Sequence, residues 1–386
     1  MVSKIVFRNF EEKIKKNKKI KLINYLKKID SQNWPEFLNS FKKEYVYGYD
    51  KNFTNKFKNI QNINIIGMGG SSLGAKAIYN FLKKKIKKKF IFNENLNIKN
   101  NIEKKRLNII ISKSGNTLET ISNFNTVYHR NNKNIFITEK TNGYLNKLAK
   151  KLKCDVVEHK NFIGGRFSVL SEVGMLPAQL MGLKERKFKQ YNNLITKKKF
   201  LDSLTHNVLS TYELIKKKKF NSVILNYDHN SLDFFEWYKQ LISESLGKQS
   251  KGILPIISNM PKDNHSILQL YLDGFKSNFY TFFMVKEKNS TKLSSKLLFD
   301  SYKFLKKKST FEILNAQRIA TEKIFKLKKI PFRSFFINKR SEETLGELFC
   351  FFTLEVILLS HLLKVNPLNQ PEVELVKKET FKILKK

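Results

Sequence analysis

The sequence contains few of the residues that mark specialised classes of protein. It has two cysteines, two tryptophans and seven prolines among 386 residues. The cysteines, Cys154 and Cys350, stand far apart in apolar surroundings, which favours buried thiols in a reducing compartment over a disulfide. A disulfide-stapled secreted domain is therefore excluded. The 13% aromatic and 41% hydrophobic residues argue against disorder.

The sequence also lacks a long uninterrupted apolar run. Residues 1–10 do not have the apolar core of a secretory signal. The most apolar stretch, residues 348–363, contains Glu355 and is too short to cross a bilayer. We expect it to form a core or subunit-interface helix. We also expect a cytoplasmic protein with no membrane partner.

Arginine is scarce although the formal net charge is +41. Only eight of the 74 basic residues are arginine, and the lysines are spread over the whole chain. Proteins that bind nucleic acids favour arginine for bidentate contacts with phosphates and bases. The pattern therefore favours a solvated lysine-rich surface that reflects codon usage, and we expect no nucleic-acid partner. Such a surface can still steer small anionic substrates.

Signals for a metal or a nucleotide cofactor are missing as well. No group of His, Cys and carboxylate residues has the spacing of a metal site. The dinucleotide fingerprint would require glycine where the chain has Ser72, and there is no P-loop. We therefore expect neither a metal nor a cofactor.

The chain is organised around a glycine-rich stretch, residues 67–74, with the sequence GMGGSSLG. An isoleucine-rich strand precedes it at residues 63–66, and a helix is predicted to follow over residues 75–84. Glycine lets a backbone approach a ligand closely, and the free N–H groups of a helix start attract negative charge. The stretch predicts an anion site, and the alternative is only a tight strand-to-helix connection.

Alternating strands and helices predict an α/β fold with doubly wound parallel sheets. We expect the following organisation: a helical arm over residues 1–50, a first α/β domain over 51–190 with strands at 63–66, 107–111, 134–138 and 154–158, a second α/β domain over 200–345 with strands at 222–225 and 279–285, and a helical arm over 346–386. The lysine run at residues 83–89 predicts a solvated helix end. Residues 184–199 are expected to form a linker or an exposed helix.

A second loop of small polar residues follows the strand at residues 107–111. It contains Ser112, Lys113, Ser114, Thr117 and Thr120. Ligands of open parallel sheets bind outside the carboxyl ends of the strands, so this loop and the glycine-rich loop are expected to converge on one phosphate group. The alternative is a helix cap formed by Thr117 and Thr120.

Three further residues are candidates for catalysis. Arg166 stands directly behind two glycines, and the alternative for it is a surface salt bridge. Glu244 shares a face with Gln240 and apolar residues on a predicted helix over residues 233–246. Burial raises the pKa of such a carboxylate toward that of a general base, and the alternative is an ordinary helix end. His265 begins an apolar helix and is the candidate histidine.

Together these stretches resemble the phosphoglucose isomerase family. The matching motifs are GMGGSSLG, SKSGNTLET, GGRFSVLSEVG, QLISESLGK, HSILQL and the tail over residues 365–377. The resemblance implies two sugar-isomerase (SIS) α/β sandwiches with helical arms in a homodimer. It also implies conversion of glucose 6-phosphate to fructose 6-phosphate through a cis-enediol(ate), in glycolysis and gluconeogenesis.

The resemblance also implies a role for each matching residue. Glu244 would be the base, Arg166 would stabilise the enediolate, and Lys377 with His265 of the second subunit would open the sugar ring. The substrate-binding residues would be Gly70, Ser71, Ser112, Lys113, Ser114, Thr117, Thr120, Gln240 and Gln370. The chain departs from the family at Glu172, Asn369 and Glu372, and the last two bear on the position of Lys377.

Two other functions stay open at this point. One is a related SIS isomerase that also acts on mannose 6-phosphate. The other is a non-catalytic phosphosugar sensor that binds nucleic acid through its basic surface. A sensor would need the phosphate loops but not Glu244, Arg166 and His265, so the presence of all three disfavours it.

Overall fold

Ten strands form two five-stranded sheets in the computed structural model, which describes residues 3–8, 10, 14–96, 105–287 and 289–386. The first sheet contains β2 (Asn62–Ile66), β3 (Lys89–Asn93), β4 (Leu107–Ile111), β5 (Lys133–Thr138) and β6 (Asp155–Glu158). Its order is β3-β2-β4-β5-β6, and all its pairs are parallel. The three central strands, β2, β4 and β5, are rich in buried isoleucine, as expected for a parallel sheet covered on both faces.

The second sheet combines one strand from the start of the chain with four from its second half. It contains β1 (Ser3–Arg8), β7 (Asn221–Asn226), β8 (Leu254–Asn259), β9 (Asn278–Val285) and β10 (Phe332–Ile337). Its order is β1-β10-β9-β7-β8. The strands β7 to β10 pair in parallel, and β1 pairs with β10 antiparallel.

The α/β prediction with parallel sheets is confirmed, with one correction at the N-terminus. Residues 1–50 were expected to be helical, but β1 lies within them and forms the edge of the second sheet. Its partner is more than 300 residues away in sequence, so a local pattern cannot reveal the pairing. The sequence also did not predict β3, β8 and β10. The lysine run begins directly after the helix Leu73–Phe81 with an exposed 3-10 turn, Lys83–Lys85, so its start is a solvated helix end as predicted. Its last residue, Lys89, begins β3.

Thirteen α-helices surround the sheets in the described residues. Their bounds are α1 (Lys16–Ser31), α2 (Lys51–Asn55), α3 (Leu73–Phe81), α4 (Leu118–Val127), α5 (Tyr144–Lys151), α6 (Glu172–Leu180), α7 (Tyr191–Ile195), α8 (Lys198–Lys216), α9 (Leu232–Leu246), α10 (Leu268–Asp273), α11 (Thr310–Leu327), α12 (Glu342–Leu363) and α13 (Pro371–Leu384). The predicted division into domains at residues 190, 200 and 345 stays a proposal.

Helix α12 is the apolar centre of the molecule. At 22 residues it is long and apolar enough to cross a membrane, but 89% of its most apolar window is buried inside the protein. Within its buried surface, Glu355 forms an ion pair with Arg333 of β10. The prediction of a core helix is confirmed. The helix is long enough to cross a membrane, contrary to the sequence-based expectation, and its burial is what identifies it as a core helix.

The part of the molecule built on the first sheet meets the part built on the second sheet where α3 packs against α9. Lys76 of α3 binds Glu94 at 2.6 Å and Asp233 of α9 at 3.3 Å. Glu94 also accepts a hydrogen bond from the Ser72 hydroxyl at 2.7 Å. These contacts fix the start of α3, and with it the glycine-rich loop, against the helix that carries Glu244.

Candidate active site

The glycine-rich loop lies between β2 and α3 and has no room for larger residues. Its residues Gly69–Ser71 form a 3-10 turn. A Cβ added to Gly70 would lie 2.2 Å from the carbonyl carbon and oxygen of Gly165. Gly69 has a φ of +53°, and a Cβ there would lie 2.8 Å from Nε2 of Gln240. The glycines therefore allow the loop to pack directly against the turn that carries Arg166 and against α9.

The hydroxyl-bearing loop follows β4 and lies beside the glycine-rich loop. A Cβ added to Gly67 would lie 2.9 Å from Cβ of Ser71 and 3.1 Å from the carbonyl oxygen of Ile111, the residue before Ser112. The two loops therefore neighbour each other at the carboxyl ends of β2 and β4. This juxtaposition is the one that the sequence predicted from two similar strand-to-helix turns.

The side chains of the hydroxyl-bearing loop differ in exposure and in the hydrogen bonds that they already make within the protein. Ser112 and Thr117 are joined through their hydroxyls at 2.8 Å, and Thr117 does not cap α4 with its side chain. The hydroxyl of Thr120 is buried, with no hydrogen-bond partner among the described residues. Ser114 is exposed and accepts a hydrogen bond from the backbone N–H of Asn116. The alternative of a Thr117 side-chain cap is therefore not what this structure has.

Lys113 points its ammonium to neighbouring loops. Its Nζ donates to the carbonyl oxygen of Asn161 at 2.6 Å and lies 3.5 Å from the carboxylate of Glu139. The side chain is thus engaged with acceptors of the protein. Its contribution to a phosphate site would come from its backbone, or would require the ammonium to leave these partners.

Arg166 is the central cation of the site and is only 4% exposed. It lies in the 3-10 turn Gly165–Leu170. All five of its N–H groups have acceptors: the hydroxyl of Ser245 at 3.0 Å, Oε2 of Glu244 at 3.1 Å, Oε1 of Gln370 at 3.1 Å, and the carbonyl oxygens of Asn369 at 3.2 Å and of Pro367. Burial lowers the pKa of the guanidinium, and Glu244 opposes that shift. Arg166 is therefore not the exposed salt-bridge residue of the alternative interpretation.

The carboxylate of Glu244 is held between two of the predicted site residues. Its Oε1 accepts from Nε2 of Gln240 at 2.8 Å, and its Oε2 accepts from Nη1 of Arg166 at 3.1 Å. Its side chain is 27% exposed and lines a cleft of about 430 Å³ together with Gln370 and Lys248. The second amide atom of Gln240, Oε1, is buried without a partner among the described residues. A fixed carboxylate at the edge of a cleft has the geometry required of a general base.

The C-terminal segment over residues 366–370 forms the opposite wall of this cleft. Arg166 binds it through Gln370 and through two backbone carbonyls. The interaction uses the backbone of Asn369, so it is independent of the Asn-for-Asp departure at that position. Glu372 also lines the cleft, at the start of α13.

The structure does not bring His265 and Lys377 to this cleft within one chain. His265 is exposed in the turn before α10. Lys377 is exposed on α13, where its Nζ forms an ion pair with Glu374 at 2.7 Å. In the described part of the chain, neither side chain forms a hydrogen bond or ion pair with Glu244 or Arg166. No described residue of α13 is buried.

A second group of residues that the sequence did not identify lies behind the Arg166 turn. Lys189 is 2% exposed and donates to the carbonyl oxygens of Leu170, at 2.6 Å, and of Ser40. Its ammonium lies over the rings of Tyr45 and Tyr47, at 5.0 and 4.8 Å from their centroids. The region over residues 184–199 is therefore partly buried, so the expectation of a linker or exposed helix is wrong there.

Glu172, a departure from the family pattern, belongs to the same buried group. It accepts hydrogen bonds from the hydroxyl of Tyr45 at 2.8 Å and from the backbone N–H of Gly48 at 3.1 Å. Burial lowers the pKa of Lys189 to about 7, and Glu172 opposes the shift. The charge at position 172 is thus satisfied by residues of the N-terminal region, away from the cleft.

Comparison with known proteins gives one consistent result. The model of the phosphoglucose isomerase family matches residues 15–253. A curated glucose-6-phosphate isomerase of Methanocaldococcus jannaschii is 32% identical over 371 residues, which cover 87% of this chain and 88% of that protein.

Two solved structures share the fold at low sequence identity. A hypothetical protein of Thermus thermophilus matches with a TM-score of 0.80 at 20% identity, covering 99% of this chain and 100% of that one. A glucose-6-phosphate isomerase of Chlamydia trachomatis matches with a TM-score of 0.68 at 18% identity, covering 86% of this chain and 71% of that one.

Proposed function

The chain belongs to the phosphoglucose isomerase family, and we infer that it is an aldose–ketose isomerase that interconverts D-glucose 6-phosphate and D-fructose 6-phosphate. The predicted family and its two SIS-type sheets are thereby confirmed. Within this chain, the observation that supports the reaction best is the contact of Glu244 with Gln240 and Arg166 at the edge of the cleft.

Glu244 is the proposed base of the reaction. It would take the proton from C2 of the open-chain aldose, leaving a cis-enediol(ate), and return it to C1 to form the ketose. The proton on O2 moves to O1 in the same conversion, so the sugar neither gains nor loses atoms or charge overall. A carboxylate can carry out this transfer if it is within reach of both carbons, and Gln240 and Arg166 hold it in one position.

Arg166 is the proposed stabiliser of the enediolate. Negative charge develops on the oxygens at C1 and C2 as the proton leaves. A buried cation beside the base stabilises that charge more than one in water, because the surroundings screen it less. Gln370 shares a hydrogen bond with Arg166 and is proposed to contact the sugar.

The phosphate group is proposed to bind at the two loops after β2 and β4. Gly70 and Ser71 would contact the sugar end, and Ser112, Lys113, Ser114, Thr117 and Thr120 the phosphate. The neighbouring position of the two loops supports this assignment, and the buried hydroxyl of Thr120 would have to become accessible to contact the phosphate. Binding the phosphate there would position the reacting carbons, since remote binding energy orients the substrate.

Ring opening is assigned by resemblance to Lys377 and to His265 of a second subunit. Both lie away from Glu244 in a single chain, so the proposal requires a homodimer for His265 and a different placement of α13 for Lys377. The exposure of every described residue of α13 agrees with a helix that has further contacts to make. We further propose a cytoplasmic enzyme of glycolysis and gluconeogenesis.

A coupled spectrophotometric assay tests the function directly. Purified protein is given fructose 6-phosphate, and the glucose 6-phosphate formed is oxidised by a dehydrogenase whose NADPH is measured. Turnover supports the proposal, and its absence at high protein concentration contradicts it. The same assay started from mannose 6-phosphate decides whether the specificity is broader, because fructose 6-phosphate formed from it would be converted onward to glucose 6-phosphate and detected.

A further inference from the structure

Lys248 lies two residues beyond the last residue of α9 and lines the same cleft as Glu244. Its Nζ donates to the carbonyl oxygen of Glu244 at 2.7 Å and to that of Ser245 at 2.8 Å. These carbonyls belong to the last turn of the helix, where no backbone N–H of the helix is available to them. A cation at this end is also favourable to the helix dipole.

The two residues that Lys248 holds by their backbone are the ones that hold Arg166 by their side chains. Glu244 accepts from Nη1 of Arg166 at 3.1 Å, and Ser245 accepts from its Nε at 3.0 Å. The base and the buried cation thus depend on the geometry of one helical turn. The ammonium of Lys248 binds the backbone carbonyl oxygens of the same turn.

We propose that Lys248 is a positioning residue for the isomerisation, which in its protonated form fixes the last turn of α9 and so keeps Glu244 in contact with Arg166. The inference rests on the proposed function of this cleft. It concerns a residue that acts through Glu244 rather than on the sugar.

Burial and the charges around Lys248 lower its pKa, so its protonation changes within the pH range of the test below. Burial, together with the positive charge of Arg166, lowers its pKa to about 8, and Glu244 opposes the shift. Glu372 of α13 lines the same cleft, and Lys251 forms a backbone bridge with Lys248 while its own Nζ binds the carbonyl oxygen of Leu363 at 3.0 Å. An ammonium donates stronger hydrogen bonds than a neutral amine, so the turn is held best below pH 8.

The test compares kcat over about pH 6 to 10 in the wild type, Lys248→Arg and Lys248→Met. The wild type should lose activity as the pH rises through about 8. The arginine variant keeps its charge, so its decline should move to higher pH. The methionine variant should lose kcat about 10-fold or more, with a smaller change in KM, and should lack the step near pH 8.

Lys239→Met is the matched control, because Lys239 lies on the same helix and its ion pair is with the nearby Glu236. It should keep both the rate and the profile of the wild type. Unchanged kcat and an unchanged profile in both Lys248 variants would overturn the inference. If the methionine variant does not fold, the shift of the basic limb in Lys248→Arg decides alone.

A second readout separates this inference from the proposed function. If the wild type converts neither sugar phosphate, the proposed function fails. The crystal structures of the wild type and of Lys248→Met then decide the inference. Loss of the contact between Nη1 of Arg166 and Oε2 of Glu244 in the variant supports it, and an unchanged contact overturns it.

Discussion

Nη1 of Arg166 donates to Oε2 of Glu244 at 3.1 Å, so the buried cation and the proposed base are in direct contact across the two halves of the molecule. Every N–H of the guanidinium already has a protein acceptor in the described residues. A sugar oxygen that binds Arg166 must therefore replace one of these acceptors. Gln370, which lines the cleft, is the partner whose exchange leaves Glu244 in contact with Arg166.

The first prediction concerns the base. Glu244→Gln should keep the shape of the side chain but remove its ability to accept a proton. We expect kcat to fall by about 10²- to 10⁴-fold, while calorimetry still detects fructose 6-phosphate binding. Glu236→Gln on the same helix is the control and should retain full activity. A Glu244→Gln enzyme with a near-normal rate would show that another group is the base.

The second prediction concerns the close packing of the glycine-rich loop. In Gly70→Ala the new Cβ would lie 2.2 Å from backbone atoms of Gly165, so one of the two loops must move. Because Arg166 follows Gly165, we expect kcat/KM to fall about 100-fold while the melting temperature changes by only a few degrees. Gly164→Ala is the control, since its Cβ would meet only a side-chain atom of Phe167 at an ordinary 3.5 Å. Equal activity of the two variants would contradict the prediction.

The third prediction concerns the origin of the ring-opening histidine. His265→Ala and Glu244→Gln homodimers should each be nearly inactive on ring-closed sugar. If His265 acts across a dimer interface, refolding the two variants together creates mixed dimers with one complete site, and about a quarter of the wild-type activity should return. A histidine that acts within its own chain would give no recovery, because no mixed dimer would then contain a complete site.

The fourth prediction concerns the buried ammonium of Lys189. Burial lowers its pKa to about 7 in the folded protein, from an ordinary value of 10.5. Between these values the unfolded chain binds more protons, so this group makes the free energy of unfolding rise with pH. Urea unfolding of the wild type and of Lys189→Met should differ increasingly in favour of lysine as the pH rises from about 7 toward 10.5.

Nearby groups titrate in the opposite sense, and subtracting the two series removes the part of their effect that does not depend on Lys189. Burial raises the pKa of Cys350 and Tyr47, and their effect lowers stability at high pH in both proteins. A wild-type-minus-variant difference that stays constant over this range would contradict the lowered pKa of Lys189.

The sequence predicted those features that depend on neighbouring residues. The isoleucine runs of β2, β4 and β5 and the glycine and hydroxyl turns after them are local patterns, and the structure has them in place. The spacing of Gln240 and Glu244 by one helical turn also placed both on one face of α9, where their side chains bind each other.

Features that depend on distant residues were not predictable in this way. Lys248 was recognised only as the end of a motif, since its contact with the turn that holds Arg166 requires the folded helix. Lys189 lies in a charged stretch and Glu172 is the lone acidic residue in the motif GGRFSVLSEVG, and only tertiary packing shows that both are buried. His265 and Lys377 carry roles implied by resemblance, and those roles still stand as predictions.

The antiparallel strand β1 has a consequence for biosynthesis. It is translated before all the other described strands, and its partner β10 is made more than 300 residues later. The whole first sheet and most of the second are translated in the interval, and domains generally fold as units during synthesis. The pair of β1 and β10 can form only after β10 has been made, so the edge of the second sheet is completed late in synthesis.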